Sequence, residues 1–174
     1  INVSHFNFST SGDNDILFGL GAIKGLGKAA IENIISEREQ RPFENLYDFC
    51  SRVNLSKVDK RGIEPLIKSG AMDSFSTSRK AMLESLEDAM KYARQNSLTQ
   101  ESGISDLFGG ISESNQFLPV TKDEHIDYAN SKFEFSALGF YLKTHPNKDH
   151  NWQLKKLGTG SIKNVLEEKL NTIS

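Results

Sequence analysis

The chain has 174 residues, with 21 basic and 23 acidic side chains and a formal net charge of −2. It is long enough for one domain or two small ones, and too nearly neutral to hold nucleic acid by a broad basic surface. Its single cysteine, Cys50, excludes an internal disulfide and a cysteine-based zinc site, and suits a reducing cytosol.

No apolar run approaches the roughly 20 residues of a membrane span. The opening INVSHFNF carries no initiator Met, basic leader or hydrophobic targeting segment, the expectation for a fragment. Residues 3–8 alternate between apolar and polar types, and the turn signal SGDND precedes Ile16-Leu17-Phe18, which predicts a short β-hairpin. Asp13 and Asp15 have the spacing of a metal-binding pair but sit in this polar turn, so they read as turn formers.

Next comes Ile23-Lys24-Gly25-Leu26-Gly27-Lys28-Ala29-Ala30, two glycines around one apolar residue followed by good helix formers. Such a turn opens a helix whose first amides lack intrahelical partners and whose dipole favours an anion such as a phosphate. An ordinary tight turn before an amphipathic helix needs the same glycines and implies no ligand, and on these residues alone both readings stand. A nucleotide-binding fingerprint fits less well. Lys24 precedes the glycines, no Gly-Lys-Ser/Thr ending is present, and no acidic residue closes a strand–turn–helix unit.

Ala29, Ala30, Ile31, Ile34 and Ile35 fall at helical spacing and predict a helix over 26–38, which Arg41-Pro42 ends. Residues 46–50 read as a short amphipathic helix. Ser56 is the candidate cap of the next helix, with Val58, Ile63, Leu66 and Ile67 on its apolar face. Pro65 should kink or shorten it, and Gly70 in Ser69-Gly70-Ala71-Met72 should close it. Ser76-Thr77-Ser78 offers caps for a longer helix over 79–95, whose stripe Met82, Leu83, Leu86, Ala89, Met90 and Ala93 reads as core rather than a cofactor box. Helix, Ser-Gly hinge and helix therefore recur after the first glycine hinge. Two helix–hairpin–helix units in tandem is the natural parse, each turning hairpin amides towards a phosphate backbone without reading sequence. A plain helical hairpin that only packs accounts for the second unit equally well.

Residues 96–121 are rich in Ser, Gly, Gln and Asn and read as a loop or mobile linker. Within it, Leu107 and Phe108 stand between glycines on a polar background. They serve either as an apolar anchor for a partner's pocket or as a staple tucked onto the helices. Thr121 and Glu124 form a candidate capping box for a helix ending near Ala137, with Ile126, Tyr128, Ala129 and Phe133 among its apolar residues. A Lys-rich helix candidate covers 162–170. His5, His125, His145 and His150 show no metal-ligand spacing, and no nucleophile elbow or Ser-His pairing is evident, so no catalytic or metal-binding residue is assigned.

Five stretches, in order, carry a resemblance: FGLGAIKGLGKAAIENII, FENLYDFCSRV, LIKSGAMDSF with RKAMLESLEDAM, SDLFGG and FSALGFYLKTHP. In these the chain resembles the bacterial replicative DNA polymerase III alpha subunits, the C-family DNA polymerases, from Ile16 to about His150. The resemblance implies a region beyond the catalytic palm. Its parts are the end of the fingers (1–22), a tandem helix–hairpin–helix DNA-binding module (23–95), a flexible loop with an internal clamp motif (96–122), a closing helix and LGFYLKTHP segment (123–150), and a linker or start of the next domain (151–174). It implies contact with duplex DNA at Lys24, Gly25, Leu26, Gly27 and Lys28 of the first hairpin and at Ser69, Gly70, Ala71 and Met72 of the second.

It also implies that Ile104, Ser105, Asp106, Leu107 and Phe108 bind the sliding clamp, the beta subunit. Ile104 stands where such motifs usually have Gln, which removes a hydrogen bond worth ~1 kcal/mol. The family's catalytic aspartates and their Mg2+ lie upstream, so this segment is expected to need no cofactor of its own. Further partners implied are other polymerase III holoenzyme subunits, with no membrane, in a bacterial cytoplasm at the nucleoid. The expected fold is mainly α, a short N-terminal β-hairpin followed by tandem helix–hairpin–helix units, a mobile loop and further helices. Two rival readings are a stand-alone helix–hairpin–helix repair accessory and a purely structural helical domain.

Overall fold

The computed structural model describes residues 1–12, 15–102, 126–143 and 156. It is mainly helical, with one two-stranded antiparallel sheet. The strands are β1 (Ser9–Ser11) and β2 (Asp15–Leu17), with Ser9 opposite Leu17 and Thr10 opposite Ile16. The first strand therefore lies beyond the alternating stretch 3–8. That stretch instead lends its carbonyls to the next turn: His5 O accepts from Leu20 N at 2.8 Å and Phe6 O from Gly21 N at 3.0 Å. Gly19 permits this approach, since a Cβ there would lie 2.6 Å from Phe6 O.

After a one-turn 3-10 helix, Leu20–Ala22, come α1 (Lys28–Gln40), α2 (Leu46–Arg52) and α3 (Lys60–Lys68). A second 3-10 turn, Asp73–Phe75, leads to α4 (Arg79–Ser102), and α5 is Ile126–Leu138. The helix expected from residue 26 begins at Lys28. Leu26 belongs to the hairpin, where it is 8% exposed. The cap of α3 is Asp59, whose Oδ1 accepts from Gly62 N at 3.0 Å. Ser56 is instead part of a turn begun by Asn54, whose Oδ1 accepts the Ser56 amide at 2.9 Å. Asn45 caps α2 in the same way through Asp48 N at 2.9 Å, and Ser78 Oγ accepts from Ala81 N at 3.2 Å at the start of α4. The last helix of that run also continues to Ser102, so residues 96–102 are helical rather than loop.

One apolar core joins these elements. The stripe of α4 enters it as expected, with Met82, Leu86, Ala89, Met90 and Ala93 all buried, and α2 packs along this helix. Helix α3 sits between α4 and α5 through Ile63, Leu66 and Ile67, each fully buried. Cys50 is in the same core and burial pushes its thiol up to about 12. The N-terminal segment is tied across the first two helices. Asn2 and Phe43 exchange two hydrogen bonds of 2.8 and 2.9 Å, and Arg38 donates to Ile1 O at 2.9 Å. Arg52 closes α1 by donating to Arg41 O at 2.8 Å while its guanidinium covers the Phe43 ring at 4.6 Å. Among the described residues no helix is long and apolar enough to cross a membrane.

Candidate nucleic-acid interface

The first hairpin is held by its apolar residues and leaves its polar backbone outside. Ile23 and Leu26 point into the core, and Leu26 Cδ1 would lie 3.4 Å from a Cβ at Gly62, so the glycine in α3 is the seat of this side chain. Gly25 has φ +82, the left-handed region where a Cβ is costly, and it turns the chain back over Arg61 and Pro65 of α3. Pro65 has no N–H for the Arg61 carbonyl, and that carbonyl lies on the side facing Gly25.

Gly27 is the extended N-cap of α1. Its carbonyl accepts from Ala30 N and Ile31 N, both at 3.1 Å, and its lack of a side chain leaves the first turn without a side-chain cap. The amides of Gly25, Gly27, Lys28 and Ala29 consequently make no hydrogen bond among the described residues, and all four residues are exposed. Lys24 and Lys28, also exposed, flank them. The only acidic contact of Lys28 among the described residues is Glu32 at 3.7 Å, with both side chains mostly in solvent, a pair of small worth. The result is a cluster of unpartnered donors at a helix N-terminus between two cations, an arrangement that attracts an anion. The Ala29 amide was not among the residues singled out from sequence. Its position two residues inside the helix after Gly27 is the signal that would have found it.

The second hairpin is built differently. Gly70, with φ +82, closes α3 in a Schellman motif: Ala71 N donates to Leu66 O and Gly70 N to Ile67 O, both at 3.1 Å. Ser69 N donates to Pro65 O at 2.9 Å and its hydroxyl to Leu66 O at 3.0 Å. Ser69 and Met72 are buried, and the amides of Ser69, Gly70 and Ala71 are consumed by α3 carbonyls. What the hairpin does hold is Arg79. This side chain, 3% exposed, binds Asp73 through Nε and Nη2 at 2.8 Å each, the Lys68 carbonyl at 3.0 Å and Glu134 of α5 at 3.2 Å. Glu134 is 1% exposed, and its other oxygen accepts the amides of Leu142 and Lys143 at 3.0 and 3.1 Å. Lys143 Nζ returns to Asp73 at 2.7 Å. Burial opposes the charge on Asp73, but hydrogen bonds from Arg79 and Lys143 outweigh it and hold the carboxyl below its ordinary range.

Both hairpins meet the end of α5. Ala137 O accepts the Lys24 amide at 3.0 Å, and Gly139, with φ +89, lies under the Lys24 side chain. An apolar cavity of about 170 Å³ lies at the same junction, between Leu20, Ile23, Ala71 and Leu138. The clamp-motif residues Ile104, Ser105, Asp106, Leu107 and Phe108, the Thr121–Glu124 capping box and the 162–170 helix candidate lie outside the described residues. Among the described residues no group of three or more His, Cys, Asp or Glu converges as a metal-ligand set.

Comparison with known proteins matches the helix–hairpin–helix motif family to residues 1–82, the span holding both hairpins. Beyond that span, the DNA polymerase III subunit alpha of Pseudomonas fluorescens is 33% identical over 93% of this chain and 15% of its own length. That of Haemophilus influenzae is 31% identical over 100% and 15%, and that of Deinococcus radiodurans 39% identical over 86% and 12%. The chain is related to the DNA polymerase III alpha subunits. It spans about 15% of the length of the relatives it matches first. Gly25, Gly27 and Gly70, with their hairpins, fall within the matched helix–hairpin–helix span, whereas Glu134 lies beyond it in the part that only the polymerase relatives cover.

Proposed function

We propose that this chain is a non-catalytic piece of a DNA polymerase III alpha subunit that grips duplex DNA without reading its sequence and tethers the polymerase to the sliding clamp. The observation that carries the first part is the set of unpartnered amides at Gly25, Gly27, Lys28 and Ala29 between Lys24 and Lys28. Backbone donors of this kind bind phosphate oxygens, which fix register and carry no base information. Leu26 takes part by seating the turn. The second hairpin, Ser69, Gly70, Ala71 and Met72, approaches the duplex through the shape of its backbone, because the amides of Ser69, Gly70 and Ala71 are already engaged. Nucleotidyl transfer and its Mg2+ belong to other parts of the parent polymerase, acting at the nucleoid in the bacterial cytoplasm with the other holoenzyme subunits.

The clamp contact rests on Leu107 and Phe108, an apolar pair on a polar background, with Ile104, Ser105 and Asp106 leading into it. A weak peptide contact and weak DNA contacts on one chain reinforce each other by effective concentration.

Duplex affinity of the full-length polypeptide tests the first part. Lys24→Glu with Lys28→Glu should weaken binding equally on unrelated sequences and lower the salt slope by about 2, given roughly 0.9 per phosphate contact. Unchanged affinity sinks the hairpin role. Leu107→Ala with Phe108→Ala should abolish capture of the isolated clamp, and an unaltered titration removes that assignment. Clamp binding also separates this reading from a stand-alone repair accessory, and absence of both DNA binding and clamp binding in the parent chain would leave a purely structural helical domain.

A further inference from the structure

We infer that Glu134, locked by Arg79, is a positioning residue for the amide cluster of the first hairpin, acting through the end of α5. The inference rests on the phosphate-binding reading of that hairpin. Three links carry it. First, Glu134 is fixed from both sides, by Arg79 at 3.2 Å and by the Leu142 and Lys143 amides at 3.0 and 3.1 Å, and it is buried to 1% exposure. A carboxylate with that set of donors has one position. Second, Ala137 is three residues further along the same helix, about 4.5 Å of rise, so its carbonyl is placed by the same turn that Glu134 anchors. Third, that carbonyl accepts the Lys24 amide at 3.0 Å, the residue immediately before the unpartnered donors begin at Gly25.

Arg79 in turn is carried by the second hairpin, through Asp73 and the Lys68 carbonyl. The second hairpin thus fixes α5, and α5 fixes the first. This gives the second hairpin a task for which its own amides are not required. An amide cluster binds phosphate well only when its donors are held in place before the ligand arrives, because disorder at the site must be removed on binding. Loosening the Lys24 tether therefore weakens the grip without touching any group that meets DNA.

The test uses the full-length polypeptide with Glu134→Ala and the milder Glu134→Gln, the second serving if the first does not fold. Met90→Ala, a buried residue of α4, serves as a control that lowers stability elsewhere. Two quantities are read well below the unfolding temperature: hydrogen exchange of the peptide containing Lys24, and duplex affinity with its salt dependence. The expected result is faster exchange at Lys24 and a five- to tenfold rise in Kd for Glu134→Ala, a smaller change of the same kind for Glu134→Gln, and neither for Met90→Ala. Unchanged exchange at Lys24 overturns the coupling, whatever DNA does. Faster exchange with unchanged Kd, while Lys24→Glu with Lys28→Glu loses affinity, overturns the positioning role and leaves the hairpin reading intact. If the lysine variants lose nothing, the hairpin reading itself has failed and the positioning role falls with it.

Discussion

Gly25 and Gly70 share one backbone conformation, φ +82, and differ in what surrounds them, so replacing each with alanine separates two costs. At Gly25 a Cβ would meet only Arg61 O at 3.8 Å and Pro65 Cγ at 3.9 Å, ordinary contact distances. The cost there is conformational: about 1–2 kcal/mol for a left-handed L-residue, reduced by about 0.4–1 kcal/mol because alanine restricts the unfolded chain. At Gly70 a Cβ would lie 2.8 Å from Arg79 Cζ and 3.0 Å from Asp73 Oδ2, inside the buried ion pair. The guanidinium must then move, and disrupting a buried pair costs about 3–5 kcal/mol, so with the conformational cost added Gly70→Ala should lose about 4–6 kcal/mol in all.

For a chain of this size 1 kcal/mol is about 2–4 °C in Tm. Thermal unfolding followed by circular dichroism should therefore fall about 2–4 °C for Gly25→Ala and at least 8 °C, roughly, for Gly70→Ala. The decisive comparison is a double-mutant cycle. In an Arg79→Ala background the steric part of the Gly70→Ala cost disappears and its remaining loss should match Gly25→Ala. Equal losses at the two glycines in the parent chain, or an unchanged Gly70→Ala cost without Arg79, would refute the reasoning.

Three further outcomes follow from the same geometry. Asp59→Ala should lose about 1 kcal/mol by urea unfolding while Ser56→Ala loses almost nothing, because only Asp59 caps α3; equal losses would contradict the cap assignment. Cys50, buried with its thiol at about 12, should resist iodoacetamide at pH 8 in the folded chain and react fully in denaturant, so alkylation within minutes in native buffer would show the core opening there. Against the opposing effect of burial, the folded pKa of Asp73 is held below the ordinary value of an aspartate by the hydrogen bonds from Arg79 and Lys143. Its stabilisation is therefore fully present above the ordinary carboxylate range and is lost as pH falls through the folded pKa, so Asp73→Asn should flatten stability against pH below about 4. An acid limb of the same depth in that variant would assign it to other carboxylates.

The readings that held were those in which neighbours along the chain settle the structure: the Gly-x-Gly turn, the short helix over 46–50, which α2 extends to Arg52, the α4 stripe, the glycine that closes α3. The readings that moved were decided by partners far along the chain. Residues 3–8 alternate like a strand, yet their carbonyls bond to the turn at Leu20 and Gly21. Leu26 has the spacing of a helical core residue, and periodicity alone does not separate that from an apolar plug seated on Gly62. The Arg79–Glu134 pair bridges 55 residues, and no local pattern specifies it. A partial signal was present: Arg79 begins the stripe that continues through Met82, Leu83 and Leu86, and a cation on a buried face at a helix start needs an acid. Glu134 likewise shares a face with the buried Ser131 and Ala137.

The near-neutral charge of the chain counts against a DNA surface only if side chains are the whole account. The unpartnered donors at the start of α1 are uncounted in any tally of Lys and Glu, although a helix N-terminus acts as roughly half a positive charge. Gly27 makes this possible: a Ser or Asp at that cap would satisfy an amide internally and remove it from the cluster. The same absence of a cap destabilises α1 and leaves its first turn dependent on what lies beneath. Leu26 on Gly62, and the Lys24 amide on the Ala137 carbonyl, supply that support. A helix start left open for a ligand therefore needs bracing from its far side, and in this chain the brace is the end of α5.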